Sequence, residues 1–166
     1  MLKLIIASGI AFSVIILFLF ALFPADMSVS RVIQIRSSKS LVYRKIADLR
    51  EWNSWNSLVS SVDGANKISE PDIFDSTFIS REYVRIDLLK ATTDSVSTRW
   101  RHKNKSFTGD FLLTEMDDRV VVQWTLYFHL KWYPWEKLAS MFYDKQLGPR
   151  MEESLIKLQK ELEPAG

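Results

Sequence analysis

The chain has 166 residues, and its 22 Lys and Arg residues against 20 Asp and Glu leave a formal net charge of only +2. These charges are interspersed along the sequence, which argues against a nucleic-acid-binding protein with a basic stripe. The chain contains no cysteine, and this excludes disulfide bonds, thiol catalysis and cysteine-ligated zinc sites.

The first predicted element is a hydrophobic helix. Leu4 to Phe23 is a run of 20 uncharged residues, 14 of which are Leu, Ile, Val or Phe. As a helix it would be about 30 Å long, which matches the hydrocarbon core of a bilayer. It is apolar on every face, unlike a surface helix of a globular protein, and Pro24 ends it. We therefore expect residues 1–26 to form a transmembrane anchor and residues 27–166 to form a separate domain.

A cleaved signal peptide is the alternative interpretation of this run. The run is longer than the apolar segment of about 7–15 residues that is usual in such peptides, and Phe23 and Pro24 stand where a cleavage site would need small residues. Lys3 precedes the helix and favours a cytoplasmic N-terminus, which would place the domain on the periplasmic side of a bacterial-type inner membrane. Arg31 and Arg36 favour the opposite orientation.

The domain is predicted to begin with a tether, a strand and a helix. Met27 to Ser30 indicates the tether, and the alternation over Arg31 to Arg36 predicts a half-buried strand. Ser37 or Ser38 is expected to cap the helix. The apolar face of that helix comprises Leu41, Val42, Ile46 and Leu49. The Asn-, Ser- and Trp-rich stretch from Glu51 to Ser61 indicates an irregular or short helical connection.

Strands are predicted for most of the remaining domain, each with one apolar face, as in an antiparallel sheet. Their ranges are Ile73–Ser80, Tyr83–Lys90, Ser95–Lys103, Ser106–Glu115 and Arg119–Leu130. Asp63-Gly64 and Asp117-Asp118 are predicted turns.

The C-terminal part is predicted to be helical. Apolar residues recur there at helical spacing, namely Trp135, Leu138, Met141, Phe142, Met151, Leu155, Leu158 and Leu162. Gly148-Pro149 predicts a kink or break between the two halves, because proline removes a backbone donor. This order of elements favours an α+β fold in which a curved antiparallel sheet has its apolar face covered by a long C-terminal helix.

Two blocks of the sequence resemble the START-like (SRPBCC, Bet v 1-type) superfamily, in particular its small polyketide cyclase/dehydrase-like members. The first block comprises Val32–Ser38, Leu41, Val42, Tyr43, Asp48, Trp52 and Trp55, and the second comprises Leu138, Met141, Phe142, Asp144, Gly148, Pro149, Leu155 and Leu158. The likeness extends from Ser28 to Leu162, although Ser37-Ser38 stands where the group often has proline. The resemblance implies a helix-grip fold that encloses a cavity for an apolar ligand. Some relatives carry lipids or sterols, and others cyclise polyketides.

Side chains that point inward in such a fold are the candidate ligand-binding residues, because ligand cavities are mostly apolar with few polar groups. The candidates are Thr98, Trp100, His102, Phe111, Leu113, Trp124, Leu126, Phe128, Met141 and Phe142. Thr98 and His102 would be the sparse polar contacts. The competing interpretation is that these residues only pack the core.

Catalytic, metal and cofactor sites are not indicated by the sequence. The two histidines, His102 and His129, occur without the spacing of metal ligands. The acidic pair Asp117-Asp118 stands in a turn and is therefore solvated rather than paired in a cleft. A short basic patch is interpreted as a solvated strand end, and it comprises Arg99, Arg101, His102, Lys103 and Lys105.

The leading functional hypothesis is a membrane-anchored, non-enzymatic domain that binds a lipid or another apolar ligand internally. Its expected partners are the bilayer, through Leu4–Phe23, and the ligand; the sequence does not indicate a protein partner. One alternative is an enzyme of polyketide cyclase-like or hydrolase type that uses His102 or an acidic residue in the cavity as a base. Another is an accessory interaction domain of a membrane complex, with Trp52 and Trp55 as its exposed surface.

Overall fold

The structure is a computed structural model that describes residues 2–21, 26–60, 77–79, 84–102, 105–130 and 142–163. Its elements in chain order are α1 (Leu2–Ala21), β1 (Asp26–Ile35), α2 (Lys39–Ala47), a 3₁₀ turn (Leu49–Glu51), α3 (Trp52–Trp55), α4 (Ser57–Ser60), β2 (Thr77–Ile79), β3 (Val84–Thr92), β4 (Ser95–His102), β5 (Lys105–Met116), β6 (Arg119–His129) and α5 (Tyr143–Leu162). The predicted turn at Asp63-Gly64 and the predicted helical residues Trp135 and Leu138 lie outside the described residues. The predicted α+β order is confirmed.

The strands form one antiparallel sheet in the order β1-β6-β5-β4-β3-β2. Strands β2 to β6 follow one another as a meander, and β1 returns to pair with β6 from Asp26 opposite His129 to Ile35 opposite Val120. Asp117 adopts φ 52° in the turn between β5 and β6, a left-handed conformation that Asp tolerates in tight turns. The predicted hairpin turn is therefore confirmed.

The predicted tether at Met27–Ser30 is wrong, because β1 already begins at Asp26. Met27 and Val29 continue the inward alternation of the strand, and Val29 is only 1% exposed. Ser28 and Ser30, which alternate with them, lie on the outer face. A strand with small polar residues on its wet face looks like a linker in sequence, but its pairing with β6 satisfies the backbone.

Helix α5 covers the inner face of the sheet, as expected for a helix-grip arrangement. Its buried side chains Met151, Leu155 and Leu158 follow helical spacing, and the helix contacts β1, α3 and α4. Of the predicted kink or break at Gly148-Pro149, the break is wrong, since α5 is continuous through both residues; the kink stays a prediction. Pro149 lies in the second turn of the helix, where the missing donor leaves a single hydrogen bond unmade.

Lys45 of α2 ties three elements together. Its Nζ lies 2.7 Å from Glu51 Oε2 in the 3₁₀ turn and 2.8 Å from Glu161 Oε2 in α5. Burial lowers the pKa of Lys45, but hydrogen bonds and charge attraction from Glu161 and Glu51 outweigh burial and raise the pKa above its ordinary value of 10.5. The charged form of Lys45 therefore stabilises the packing of α2 against α5.

Replacing Lys45 with glutamine is expected to lower the free energy of unfolding by about 1 kcal/mol, less at high salt. Because the pKa is raised in the folded state, this stabilisation is complete below pH 10.5 and is lost as the pH rises through the folded pKa. Urea denaturation of the full chain in a non-ionic detergent, at low and high salt, measures the difference. Lys145→Gln on the exposed face of α5 is the matched control, and an equal loss in both variants would contradict the role of Lys45.

Helix α1 occupies the position of the predicted hydrophobic helix. Its side chains at 6–15, 17 and 18 are all exposed, with Phe12 at 65% and Phe18 at 64%. Across the described part of the chain, no helix combines the length and hydropathy needed to cross a membrane.

Candidate functional site

An aromatic column runs through the interior between the sheet and the helices. Its members are Trp52, Trp55, Phe111, Trp124, Trp100, Phe107, Phe128 and Tyr143. Phe111 stacks on Trp124 at 4.9 Å between ring centroids, and Phe107 stacks on Trp100 at 5.6 Å. These offset contacts add to the burial energy of the rings. The column is continuous from the buried centre to the half-buried Phe107 and Phe128.

The buried part of the column is filled by its own side chains. Trp52, Trp55 and Trp124 are 0% exposed, and their rings lie 5.4 to 6.5 Å from neighbouring aromatic rings of the column, apart from the closer Phe111–Trp124 stack. The indole N–H groups of Trp55 and Trp124 have no hydrogen-bond partner among the described residues. The two rings meet edge to face, and an aromatic face is a weak acceptor for an N–H group.

A small polar network supports the column. The Trp100 indole Nε1 donates to Thr98 Oγ1 at 3.0 Å, and that hydroxyl donates to the Gly109 carbonyl at 2.9 Å. Gly109 must lack a side chain here, because an added Cβ would lie 2.9 Å from Leu126 and 3.0 Å from the Trp100 Nε1 atom. Thr98 is therefore a satisfied core hydroxyl that fixes the Trp100 ring.

Replacing Gly109 with alanine is expected to lower the free energy of unfolding by about 1–3 kcal/mol, because overpacking displaces core side chains. Gly9→Ala is the control, since its added Cβ meets nothing within 4 Å. Denaturation of both variants measured by tryptophan fluorescence tests this. Equal stability of Gly109→Ala and the wild type would contradict the prediction, because it would show that the neighbouring side chains accommodate the added methyl group.

Most of the candidate ligand-binding residues lie where the strand pattern predicts. Thr98, Trp100, Phe111, Leu113, Trp124 and Leu126 are buried, none more than 3% exposed, and Phe128 is half-buried. Phe142 is 56% exposed at the start of α5, so it does not face the interior. Met141 and the side chain of His102 lie outside the described residues. Whether any of these residues binds a ligand stays a prediction.

The expectation that Trp52 and Trp55 form an exposed surface is wrong. Both are 0% exposed, and the Trp52 indole N–H donates to the Ile46 carbonyl at 2.8 Å. The short helices α3 and α4 place these rings over the inner face of the sheet, against Trp100, Phe111 and Trp124. The alternative function, an accessory interaction domain, therefore lacks the exposed tryptophan surface on which it depended.

An open groove lies at the end of the sheet where β1 begins and β6 ends. It has a volume of about 510 Å³, within the usual range of ligand sites. Its described lining residues are Asp26, Met27, Ser28, Arg99, Ser106, Phe107, Thr108, Tyr127, Phe128 and His129. Phe107 and Phe128, which are the half-buried end of the aromatic column, form part of this lining. We refer to these ten residues as the groove.

The polar side of the groove carries solvent-exposed polar side chains. His129 Nδ1 and Asp26 Oδ1 are 2.7 Å apart, and their side chains are 78% and 86% exposed. Such a solvated pair contributes little stability and lacks the enclosure of an acid–base pair in a cleft. His129 therefore lies at the surface. Across the described residues there is also no group of three or more His, Asp or Glu side chains arranged for a metal ion.

Sequence reasoning missed the groove. The one sequence feature that points to the groove is the basic patch, because it includes the lining residue Arg99. From sequence alone this patch is interpreted as a solvated strand end. The groove combines residues of both strand parities, because Phe107 and Phe128 face inward while Thr108, Tyr127 and Arg99 face outward. Alternation within one strand gives no indication that the two faces meet at the sheet end.

Solved structures share the fold at low sequence identity. CalU16 from Micromonospora echinospora is 14% identical with a TM-score of 0.55, and the match covers 86% of this chain and 81% of that one. A protein of Nitrosospira multiformis is 14% identical with a TM-score of 0.59, over 82% and 96% of the two chains. The Aha1 dimer from Colwellia psychrerythraea is 13% identical with a TM-score of 0.56, over 82% and 96%. These likenesses show the fold alone.

No curated protein matches the chain significantly. A family model described as polyketide cyclase/dehydrase and lipid transport matches residues 26–163. The match begins at the first residue of β1 and ends just after α5, so it includes the whole sheet and its covering helix. The chain therefore belongs to the polyketide cyclase/dehydrase and lipid transport family.

Proposed function

We propose that this domain binds an apolar, lipid-like ligand without catalysing a reaction, and that α1 anchors it in a bilayer. The observation that carries the ligand proposal is the groove, whose floor continues the aromatic column. Phe128 lies 4.8 Å from Phe107 and 5.1 Å from Tyr143 between ring centroids. Rings that are buried on one side and open to a groove on the other offer an apolar chain a surface away from water.

The family supports the same class of ligand, because its description includes lipid transport. The rings of the interior candidates Trp100 and Phe111 both contact the ring of Trp124, so a ligand that enters the column must displace them. The groove, by contrast, is open as it stands. We therefore place the entry of the ligand at Phe107 and Phe128.

A non-enzymatic role is favoured by the chemistry of the described side chains. The buried polar residues are Asn56, Ser57, Thr98, Thr125 and Ser154, none of which is ionisable in the physiological range. Thr98 and Ser154 already donate to backbone carbonyl oxygens. Hydroxyls held in this way do not supply a general acid or base.

The anchor proposal rests on the composition and exposure of α1. The run Leu4–Phe23, most of which α1 contains, has 20 uncharged residues, and as a single helix it would be about 30 Å long, the thickness of a bilayer core. Phe12, Val14 and Phe18 are each more than half exposed, and an uncovered apolar surface of this kind is typical of a membrane or protein contact. The resulting location is a bacterial-type inner membrane, with the domain on the periplasmic side.

The side of the membrane can be tested with a single introduced cysteine, because the chain has none of its own. Glu152 on the exposed face of α5 is replaced by cysteine, and intact spheroplasts are treated with a membrane-impermeant maleimide. Labelling before lysis is expected. Labelling that requires lysis would place the domain in the cytoplasm, and recovery of the chain in the soluble fraction would contradict the anchor.

The ligand proposal is tested on the full chain extracted from membranes with a non-ionic detergent. Native mass spectrometry is expected to detect a bound apolar molecule. Phe128→Ala should weaken the affinity by about tenfold or more and so lower the occupancy, because a lost aromatic contact is worth about 1.5–3 kcal/mol. Leu112→Ala removes an apolar side chain that is 49% exposed on the outer face of β5 and should leave occupancy unchanged. A wild-type chain that binds nothing apolar would contradict the proposal.

A further inference from the structure

We infer that the groove is selective for amphipathic acids, and that Arg99 binds their carboxylate or phosphate head group while the apolar chain lies on Phe107 and Phe128. This inference rests on the proposed function and assigns the chemical class of its ligand. It is carried by one cation, Arg99, that has no counter-ion among the described residues and lies beside an apolar surface.

Arg99 is exposed on the outer face of β4, with Thr108 of β5 and Asp87 of β3 as its neighbours in register. Its guanidinium makes no hydrogen bond or ion pair among the described residues. The neighbouring Asp87 carboxylate is already bound by Arg101 and by Arg85, whose Nε lies 2.8 Å from Asp87 Oδ1. Arg99 therefore keeps its full set of donors, which match the geometry of a carboxylate or phosphate.

Three residues with hydroxyl groups line the groove together with Arg99. Thr108 pairs directly with Arg99 across β4 and β5, and Tyr127 pairs with Thr108 across β5 and β6. Ser106 lies two residues from Thr108 on the same face. All three line the groove, and none donates or accepts a side-chain hydrogen bond among the described residues. Together with Arg99 they provide neutral donors and one positive charge for an oxyanion.

The apolar side of the groove begins one residue away. Phe107 precedes Thr108 in β5, and its ring stacks on Trp100 at 5.6 Å. Arg99 lies on the outer face of the sheet and Phe107 and Phe128 on the inner face, and both faces line the groove at this end. An acid with its head group at Arg99 therefore places its chain against Phe107 and Phe128 by passing around the end of the sheet. The carboxylate of Asp26 lies on β1, three strands from β4 in the sheet order, and hydrogen bonds with His129 at 2.7 Å. The positive end of the groove is therefore at β4.

Isothermal titration calorimetry of the full chain in a non-ionic detergent tests this selectivity, with ligand uptake by protein-free micelles subtracted. The probes are decanoate, decyl phosphate, decanol and inorganic phosphate. Both acids should bind about tenfold more tightly than decanol, since a charge-assisted hydrogen bond is stronger than a neutral one. Inorganic phosphate alone should bind weakly, because it lacks the chain.

Arg99→Gln should reduce the affinity for both acids about tenfold and leave the affinity for decanol unchanged, whereas Arg99→Lys should retain the preference for acids. Arg119→Gln, at the opposite end of the sheet, is the matched control and should change nothing. Equal wild-type affinity for decanol and decanoate would overturn the inference and leave the proposed function standing. Inorganic phosphate binding as tightly as decyl phosphate would also overturn it. Binding of none of the three decyl compounds would overturn the proposed function itself.

Discussion

Replacing Trp124 with alanine is expected to lower the free energy of unfolding by about 3–5 kcal/mol, the range for large aromatic residues in cores. Trp124 is 0% exposed and lies at the centre of the aromatic column. Its ring stacks on Phe111 at 4.9 Å and contacts Trp55 and Trp100 at 6.4 and 6.5 Å. The substitution leaves a cavity between the sheet and α3, which the neighbouring rings fill only by leaving their rotamers.

Chemical denaturation of the full chain in detergent, followed by far-ultraviolet circular dichroism, measures this loss. Tyr127→Ala is the matched control, because Tyr127 is an aromatic residue of the same strand that is 46% exposed. Its effect should be within about 0.5–1 kcal/mol of the wild type, as is usual at surfaces. Similar losses of unfolding free energy in the two variants would mean that a residue of the aromatic column contributes no more to stability than an exposed residue of the same strand.

The inward faces of the strands were predictable because alternation is a local property. In β6, Val120, Val122, Trp124 and Leu126 alternate with residues that are more exposed, apart from the buried Thr125. Thr125 is buried on the outer side, where its hydroxyl lies 3.0 Å from that of Ser30. Burial by a neighbouring strand in this way depends on register, which a single strand does not specify.

The position of the tryptophans in α3 was not predictable from local pattern. The stretch around Trp52 and Trp55 is rich in Asn and Ser, and this composition favours a solvated connection. The structure instead buries part of this segment: Asn56 Oδ1 accepts from the Leu58 N–H at 3.1 Å, and Ser154 Oγ of α5 accepts from the Ser57 N–H at 2.8 Å. Asn53 Oδ1 and Asn56 Nδ2 are buried without a hydrogen-bond partner among the described residues. The bond from Ser57 to α5 is a tertiary contact, and the local sequence pattern does not indicate that such a contact brings the two large rings into the core.

The groove was missed for a related reason. Arg99 belongs to a run of basic residues, and such a run is usually a solvated surface. What distinguishes Arg99 from Arg101 is the partner: Arg101 is bound to Asp87 across the strands, whereas Arg99 faces the groove. A sequence shows which residues are charged, but only the pairing of β3, β4 and β5 shows which charge is left without a counter-ion among the described residues.

The second large loss of stability is expected for a substitution in α5, the helix that covers the inner face of the sheet. Replacing Leu155 with alanine is expected to lower the free energy of unfolding by about 2–5 kcal/mol, because Leu155 is 1% exposed in the core beneath the helix. The adjacent Ile156 is 39% exposed, so Ile156→Ala changes a similar side chain on the same helix at a cost of about 0.5 kcal/mol or less. Urea denaturation of the two variants under one set of conditions compares them directly. The two substitutions change helix propensity by similar amounts, so the difference between their free energies of unfolding measures the contact of α5 with the core. Equal losses of stability in the two variants would mean that the helix does not cover the sheet as described.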